Sequence, residues 1–318
     1  MKHPLLILAL TASLLGASSA TLAQYPDRPV RIVIPFAPGG GLDILTRMTG
    51  KTLSDAWKQS VVIDNRTGAN GLIGMEIVAR ADPSGYTLMA MASGRLDENN
   101  LRYFSPIALF ATTPSLFTVH PSLKANSVGE LIALAKANPG KFNYASTGSG
   151  AVSHLSFELL KSMAKIDVKH IPYKGIGQAV PDLVGGRVEM VIGPANSLIA
   201  QVKANRLRAL GVTSPKRINS LPDIPTIAES GLPGYEARGW FGLFAPARTP
   251  TAIVARINAD VNLGLQLPEV TTRLDEISAE PGTFRPNEFL AFIKRDNAKW
   301  EKVIRENNIE VERPRLKL

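Results

Sequence analysis

Two glycine-rich turns hold the residues of this sequence best suited to chemistry, Pro35-Phe36-Ala37-Pro38-Gly39-Gly40-Gly41 and Ser146-Thr147-Gly148-Ser149-Gly150. Each follows a short apolar run and precedes a helical pattern. At such a junction the first-turn N–H groups of the helix have no partner within it, and the helix dipole adds partial positive charge. Glycine lets the backbone approach a ligand and adopt positive φ, while Ser and Thr hydroxyls add donors. The chemistry on offer is anion binding by backbone amides. Ordinary tight turns use the same residues, so glycine content alone leaves both readings open. Neither turn completes a dinucleotide fingerprint, because Ser153 stands where the third Gly would follow Gly148-Ser149-Gly150. Neither is followed by the Gly-Lys-Ser/Thr of a phosphate loop.

Catalytic constellations are poor by comparison. A nucleophile needs a base within reach. The nearest arrangement is Ser149 or Ser153 with His154, but Gly-x-Ser-x-Gly does not occur. His154 adjoins an apolar stripe and reads as a satisfied helix residue. His120 and His170 fall on predicted strands. No two histidines have helical ligand spacing, so no zinc site is expected. The pair Asp275-Glu276 reads as outer surface. The sequence therefore points to a binding protein that is not an enzyme and needs no cofactor or metal.

The elements that must position the turns repeat as strand, glycine turn, helix. Val30–Phe36 leads through the first turn to a helix over Leu42–Trp57, and Phe142–Ala145 leads through the second to one over Ala151–Ala164. In the latter, Val152, Leu155, Leu159 and Met163 predict one buried stripe. Similar units follow at Lys169–Pro172 with Ile176–Gly185, and at Val188–Ile192 with Asn196–Ala204. The alternation predicts mostly parallel sheets with covering helices. Leu116–Val119 and Trp240–Phe244 read as hinge strands between two lobes. Lobe 1 is then 24–119 plus 239–318, lobe 2 is 120–238, and the helices near Thr251–Leu267 and Pro286–Asn307 return to lobe 1.

The N-terminus reads as an export signal. Lys2 and His3 precede an apolar run from Leu5 to Leu15, and Thr21-Leu22-Ala23 precedes Gln24. Cleavage is expected after Ala23, giving a periplasmic location. The apolar core is shorter than the roughly 20 residues a spanning helix needs. Cys is absent from the 318 residues, so stability must come from packing without disulfides. The net charge of +9 is spread along the chain, and aromatics are only 6%. Nucleic-acid surfaces concentrate their basic residues, so no nucleic acid is expected as a partner. What remains is a general attraction for anionic solutes.

An ordered set of short motifs carries a family resemblance across nearly the whole chain after the signal. These are Tyr25-Pro26-Asp27-Arg28-Pro29 leading to Pro35–Asp43, Asn65–Gly71, Asp82-Pro83-Ser84-Gly85-Tyr86-Thr87-Leu88 and Asn138-Pro139-Gly140-Lys141. Ser146–Leu155, Val168–Gly175 with its Pro-Tyr-Lys-Gly, Pro181-Asp182-Leu183 and Leu221–Gly231 follow. The sequence resembles the Bug-type periplasmic solute-binding proteins of tripartite tricarboxylate transporters. The resemblance implies a type II periplasmic-binding-protein fold, α/β and two-lobed, with a small carboxylated ligand in the cleft. It implies that the protein delivers the ligand to membrane transporter subunits. A sensor role, reporting to a membrane receptor or kinase, uses the same pocket. A monomer is expected.

Carried over position by position, the resemblance assigns ligand contacts to Phe36, Ala37, Gly39, Gly40 and Gly41 in one lobe, and to Ser146, Thr147, Gly148 and Ser149 in the other. Asp182 matches an acidic position near the lobe 2 pocket and would pair with an amine in amino-acid-like ligands; alternatively it is a first-turn helix charge. Asp43 reads as structural, satisfying free N–H groups near a helix start. The chain departs from the family at two places. Leu42 stands where a small, commonly hydroxylated residue is usual, which removes a polar contact. The segment Ala92–Phe104, which rims the pocket, is shorter than usual. Arg95 on that rim is either a carboxylate contact or a solvated surface charge.

Overall fold

Alternating burial along the strands explains the layering of this chain, seen here in a computed structural model describing residues 25–94, 96–311 and 315–316. The expected signal peptide and Arg95 lie outside the described residues. In β1 (Val30–Ile34), Val30, Ile32 and Ile34 enter one apolar cluster and Val33 enters another on the opposite face. Successive side chains of a strand point to opposite faces, so both faces must be covered. The covering elements come in chain order. They are α1 (Gly41–Trp57), β2 (Val61–Asn65), α2 (Leu72–Ala79), β3 (Thr87–Ala92) and the single turn α3 (Glu98–Leu101).

β4 (Phe104–Val119) leads into the second lobe, made of α4 (Val128–Ala137), β5 (Asn143–Ser146), α5 (Val152–Ala164), β6 (Lys169–Pro172), α6 (Ile176–Val184), β7 (Met190–Pro194), α7 (Ala195–Lys203) and β8 (Arg208–Val212). The same two-faced burial recurs there, with Met190 and Ile192 in one cluster and Val191 in the other. The chain closes with β9 (Arg238–Pro246), α8 (Thr251–Gly264), α9 (Pro268–Glu276), the two-residue β10 (Glu280–Pro281) and α10 (Pro286–Glu306).

The strand order is β2-β1-β3-β9-β4-β7-β5-β6, with β8 and β10 also paired to β4. Each lobe has a parallel triplet, β2-β1-β3 and β6-β5-β7. The strands between them pair antiparallel, so the sheets are more mixed than the expected mostly parallel ones. The chain leaves lobe 1 along β4 and re-enters it along β9 in the opposite sense, which makes the central pairings antiparallel.

The crossing points follow from pairing. β4 pairs with β9 from Phe104 to Pro114 and with β7 from Ser115 to Val119. Leu116–Val119 is therefore already inside lobe 2, and the crossing lies just before it. On the return, Ala237 donates to the Thr213 carbonyl of lobe 2, while Arg238 pairs with Pro114. Trp240–Phe244 lies within the lobe 1 sheet.

Two expectations need correction. The C-terminal helix does not belong to lobe 1 alone: Phe289 and Ile293 of α10 sit in a lobe 1 cluster, and Trp300 and Val303 sit in the lobe 2 core with Phe157 and Leu160. A helix of 21 residues is about 30 Å long, enough to span both. The α5 stripe is also displaced. Leu155 is buried, but Val152, Leu159 and Met163 are only half-buried, while Phe157, Leu160 and Ala164 face the sheet. Helix α5 is covered by the sheet on one side and by α10 on another, so periodicity alone picked the second contact face.

Candidate functional site

The two glycine turns lie where the sequence put them, at the starts of α1 and α5, and a cavity of about 300 Å³ opens between them. From lobe 1 it is lined by Ile34, Phe36, Ala37, Gly40, Gly41, Leu42 and Asp43, by Ala92, Ser93 and Gly94 after β3, and by Phe241 of β9. From lobe 2 it is lined by Gly150, Ala151 and Val152. Lobe 1 therefore presents most of the expected turn. Gly39 is outside the lining and takes φ +88° in the bend that leads to the helix. Phe241 packs beside the Gly41 backbone, where an added Cβ would make ordinary contact at 3.4 Å from Phe241 Cζ.

Asp43 is the hub of the first turn. It is the third residue of α1, counting from the cap Gly40, and its carboxylate is buried. Its Oδ2 accepts from the Gly39 amide and from Arg47 Nε, each at 3.0 Å, and its Oδ1 accepts from Asn65 Nδ2 at 3.0 Å. Burial pushes its pKa up, but the bonds from Arg47, Gly39 and Asn65 outweigh burial and hold it below the usual carboxylate value. It is thus a structural anion, as read from the sequence. Its charge is matched within lobe 1, and the neighbouring helix-start amides of Gly41 and Leu42, residues that line the cavity, have no partner within the helix.

In lobe 2 the turn is shifted relative to expectation. The cavity is lined by Gly150–Val152 rather than by Ser146–Ser149. The four expected residues are tied within their own turn. Ser146 is fully buried; its Oγ donates to the Gly148 carbonyl, accepts from the Gly148 amide, and lies 2.6 Å from His170 Nε2. Thr147 donates its amide to Ser153 Oγ at 2.9 Å. Ser149 is exposed. These residues shape the turn; the Gly150 amide is taken by His154 and the Ala151 amide by the Gly148 carbonyl, which leaves the first-turn amides of α5 from Val152 onward without an intrahelical partner. A spacing argument could not separate the two sets, because which amides are consumed depends on the Ser153 and His154 side chains folding back.

Asp182 stands apart from the cavity. Its carboxylate accepts from Arg187 Nη1 at 2.6 Å and from the Tyr173 hydroxyl at 3.0 Å. The Arg187 bond, followed by that of Tyr173, lowers its pKa. The alternative of a first-turn helix charge is corrected: α6 starts at Ile176 and contains Pro181, which puts Asp182 in the last turn.

Both departures from the family pattern bear on the wall of the cavity. Leu42 is buried and adds an apolar surface beside Ile34, Phe36 and Phe241. The short rim turns at Ser93-Gly94, where the Ser93 amide donates to the Trp240 carbonyl at 2.9 Å and Trp240 donates its amide to Ser93 Oγ at 3.2 Å. Asp97 caps α3 by accepting from the Asn100 amide. The remaining catalytic candidates are occupied or remote. His154 Nδ1 accepts from the Gly150 amide, His120 Nδ1 is 2.7 Å from Ser122 Oγ, and Asp275-Glu276 is on the exposed side of α9. No group of His, Asp and Glu among the described residues is arranged to hold a metal ion. No helix among them is long and apolar enough to cross a membrane.

Two α/β lobes joined by crossing strands, with a ligand-sized cavity between two helix starts, define the class of two-lobed solute-binding proteins. The chain belongs to the tripartite tricarboxylate transporter receptor family, whose model matches residues 45–309. It is 38% identical to the protein of the tcbD–tcbE intergenic region of Pseudomonas sp. strain P51, over 93% of this chain and 91% of that one. It is 32% identical to BugT of Bordetella pertussis, over 93% of this chain and 94% of that one, in keeping with the Bug type. Among solved structures, R. palustris Rpa4515 with adipate superposes with a TM-score of 0.77 at 36% identity, covering 90% of this chain and 99% of that chain.

Proposed function

We propose that this protein is a periplasmic receptor that captures a small carboxylate with an apolar body and delivers it to a tripartite tricarboxylate-type membrane transporter, doing no chemistry on it. The observation that carries the reading is the cavity between the starts of α1 and α5. At about 300 Å³ it has the size of a small-molecule site, and its walls are Ile34, Phe36, Leu42, Val152 and Phe241. A carboxylate would take the helix-start amides around Gly40-Gly41 and Val152-Ser153, directly or through water. The apolar body would lie against the aromatic and aliphatic walls, where burial contributes about 25 cal/mol per Å². The adipate of the R. palustris relative has an apolar methylene body of this kind, with a carboxylate at each end. Ser153 and His154 are committed to holding the turn, so they do not form a nucleophile–base pair beside the cavity.

Thermal-shift and calorimetric screening tests the reading with adipate, benzoate, longer alkyl carboxylates, malate and amino acids. A ligand at about 100 times its Kd stabilises the folded state by about 2.7 kcal/mol, so binding shows as a raised midpoint. Adipate, benzoate or an alkyl carboxylate should move it more than malate or amino acids do. A midpoint unmoved by every acid would refute the receptor reading, and a preference for malate would refute the apolar body. Co-purification with membrane components then separates delivery to a transporter from reporting to a sensor.

A further inference from the structure

The lobe 2 turn is tied down by two stacked imidazoles. His154 Nδ1 accepts the Gly150 amide at 3.0 Å, and His170 Nε2 lies 2.6 Å from Ser146 Oγ. The two rings are 3.9 Å apart between centroids and 8° from parallel. One ring therefore holds the end of the turn and the other its beginning. The groups that face the pair are few. Tyr144 of β5 stacks at 5.0 Å from His170, and its hydroxyl donates to Glu158 Oε1 at 2.5 Å. Glu158 also takes Lys161 Nζ at 2.8 Å, and its Oε1 lies 4.0 Å from His154 Nε2. Ser146 and the Gly150 amide complete the set.

The bond to Gly150 requires His154 Nδ1 to carry a lone pair. An imidazolium has two N–H donors and no acceptor, so a proton on Nδ1 would face the Gly150 N–H donor to donor. Charging both rings would also place like charges in stacking contact. Glu158 is the acid nearest the pair and is already shared by Tyr144 and Lys161. Burial lowers both pKa values. That of His170 falls to about 4, with His154 adding to the depression, and the pair is neutral at neutral pH. The equivalent device in lobe 1 is Asp43, whose carboxylate is held charged by Arg47, Gly39 and Asn65. Acid strong enough to charge these rings can thus undo one half of the cleft, while the carboxylate of Asp43, held below its usual value, keeps the other.

We propose that the His154–His170 pair is the positioning element of the lobe 2 half of the ligand site, holding Ser146–Gly150 in shape while neutral and releasing the turn, and with it the ligand, when protonated. The inference rests on the reading of the cleft as a carboxylate site. Its first test needs no ligand. In ¹H–¹⁵N spectra of the mature chain, titrated from about pH 7.5 down to about pH 4, His154 should be the Nε2–H tautomer at the start. The Gly150 and Thr147 amides should then shift together with the histidine protonation, and Gly39 should not. A protonated Nδ1 at neutral pH, or Gly150 and Thr147 amides indifferent to the titration, overturns the proposal.

The second test uses adipate as the probe. Asn offers an oxygen where Nδ1 stands, whereas Leu offers none, so H154L should bind adipate at least about tenfold more weakly than wild type at neutral pH and H154N should restore most of the loss. Comparing the variants at one pH cancels the ionisation of adipate itself. Wild-type affinity should fall more steeply with acid than that of a doubly substituted H154N/H170Q chain. Equal affinity for H154L and wild type, or equal pH slopes, overturns the positioning role. If wild type binds none of the acids screened while the amide titration behaves as expected, the carboxylate reading fails and release of ligand falls with it. The positioning of the turn is then supported on its own.

Discussion

Asp43 and His154 make the same bond in the two lobes. Each is the third residue of the helix that follows a glycine turn, and each reaches back to accept the backbone amide four residues earlier, Gly39 for Asp43 and Gly150 for His154, both at 3.0 Å. The bond is akin to the capping box, in which a third-position Glu or Gln accepts the N-cap amide, but here it reaches one residue further back. The bond fixes where the turn ends and hence where the first free amides point. The two halves of the cleft are therefore built on one plan with two chemistries, a carboxylate and an imidazole.

Removing the carboxylate tests the plan in lobe 1. In D43A, Gly39, Arg47 and Asn65 all lose an acceptor, but the exposed Gly39 amide can turn to water and Asn65 Nδ2 keeps the Phe36 carbonyl. The expected loss is on the order of 1–2 kcal/mol in urea unfolding, the size of a lost helix-start cap. R47A should cost less than about 1 kcal/mol, because the Arg47 side chain is half exposed and its bond competes with water. Equal losses in the two variants would show that the ion pair, rather than the turn, is what Asp43 supports.

The imidazoles make a separate prediction about stability against pH. His170 has an ordinary value of 6.5 when unfolded and about 4 when folded, and His154 is lowered as well, burial being the leading cause for both. Between those values the unfolded chain binds protons that the folded chain does not. Stability is then fully present above about pH 6.5, falls as the pH drops toward 4, and loses nothing further from His170 below that. Because His170 is only half-buried, the loss should be on the order of 2 kcal/mol over the interval rather than the full value of the shift. Urea midpoints at intermediate pH measure it. H170Q, which can keep a bond to Ser146, should flatten the slope.

Much of this was legible in the sequence, and the misses share a cause. The glycine turns, the alternation of strands and helices and the structural role of Asp43 follow from local rules: apolar runs, helix starts, and a carboxylate one turn into a helix. What local rules could not reach was which of several available partners each side chain takes. Ser153 Oγ and His154 Nδ1 consume amides of the turn, so the cavity is lined by Gly150–Val152 rather than by Ser146–Ser149. Arg187 and Tyr173 take the carboxylate of Asp182. Trp300 lies far from lobe 2 in sequence yet belongs to its core. In each case the residue type was right for several roles, and only its neighbours in space decide among them.

Leu42 tests the cavity's preference. It is buried and lines the cavity at the position where the resemblance leads one to expect a small residue. L42S removes apolar wall and adds a hydroxyl, which should weaken adipate or alkyl carboxylates by about 1–2 kcal/mol and improve malate relative to them. Calorimetry with paired acids reads the ratio directly. A ratio unchanged from wild type would show that Leu42 packs into the lobe 1 core without meeting the ligand.

The last prediction concerns the helix that belongs to both lobes. Helix α10 anchors in lobe 1 through Phe289 and Ile293, and in lobe 2 through Trp300 and Val303. Between the two anchors, Asp296 Oδ2 accepts from the Trp240 indole at 2.9 Å, and Asp296 Oδ1 pairs with Lys299 at 3.0 Å. A helix fixed at both ends limits how far two lobes can part about β4 and β9, since a hinge needs its connecting elements to bend or slide. W300A removes the lobe 2 anchor while leaving Phe289 and Ile293 in place. It should cost about 3–5 kcal/mol, as expected for deleting a buried aromatic side chain. The loss should be local: hydrogen exchange should quicken in the second half of α10 and in α5, and slow exchange in β1 and β3 should persist. Small-angle scattering of the ligand-free chain should show a wider spread of lobe separations than wild type. If exchange instead quickens evenly through both lobes with no change in scattering, α10 acts as ordinary core rather than as a tether, and the lobes are limited by the paired strands alone.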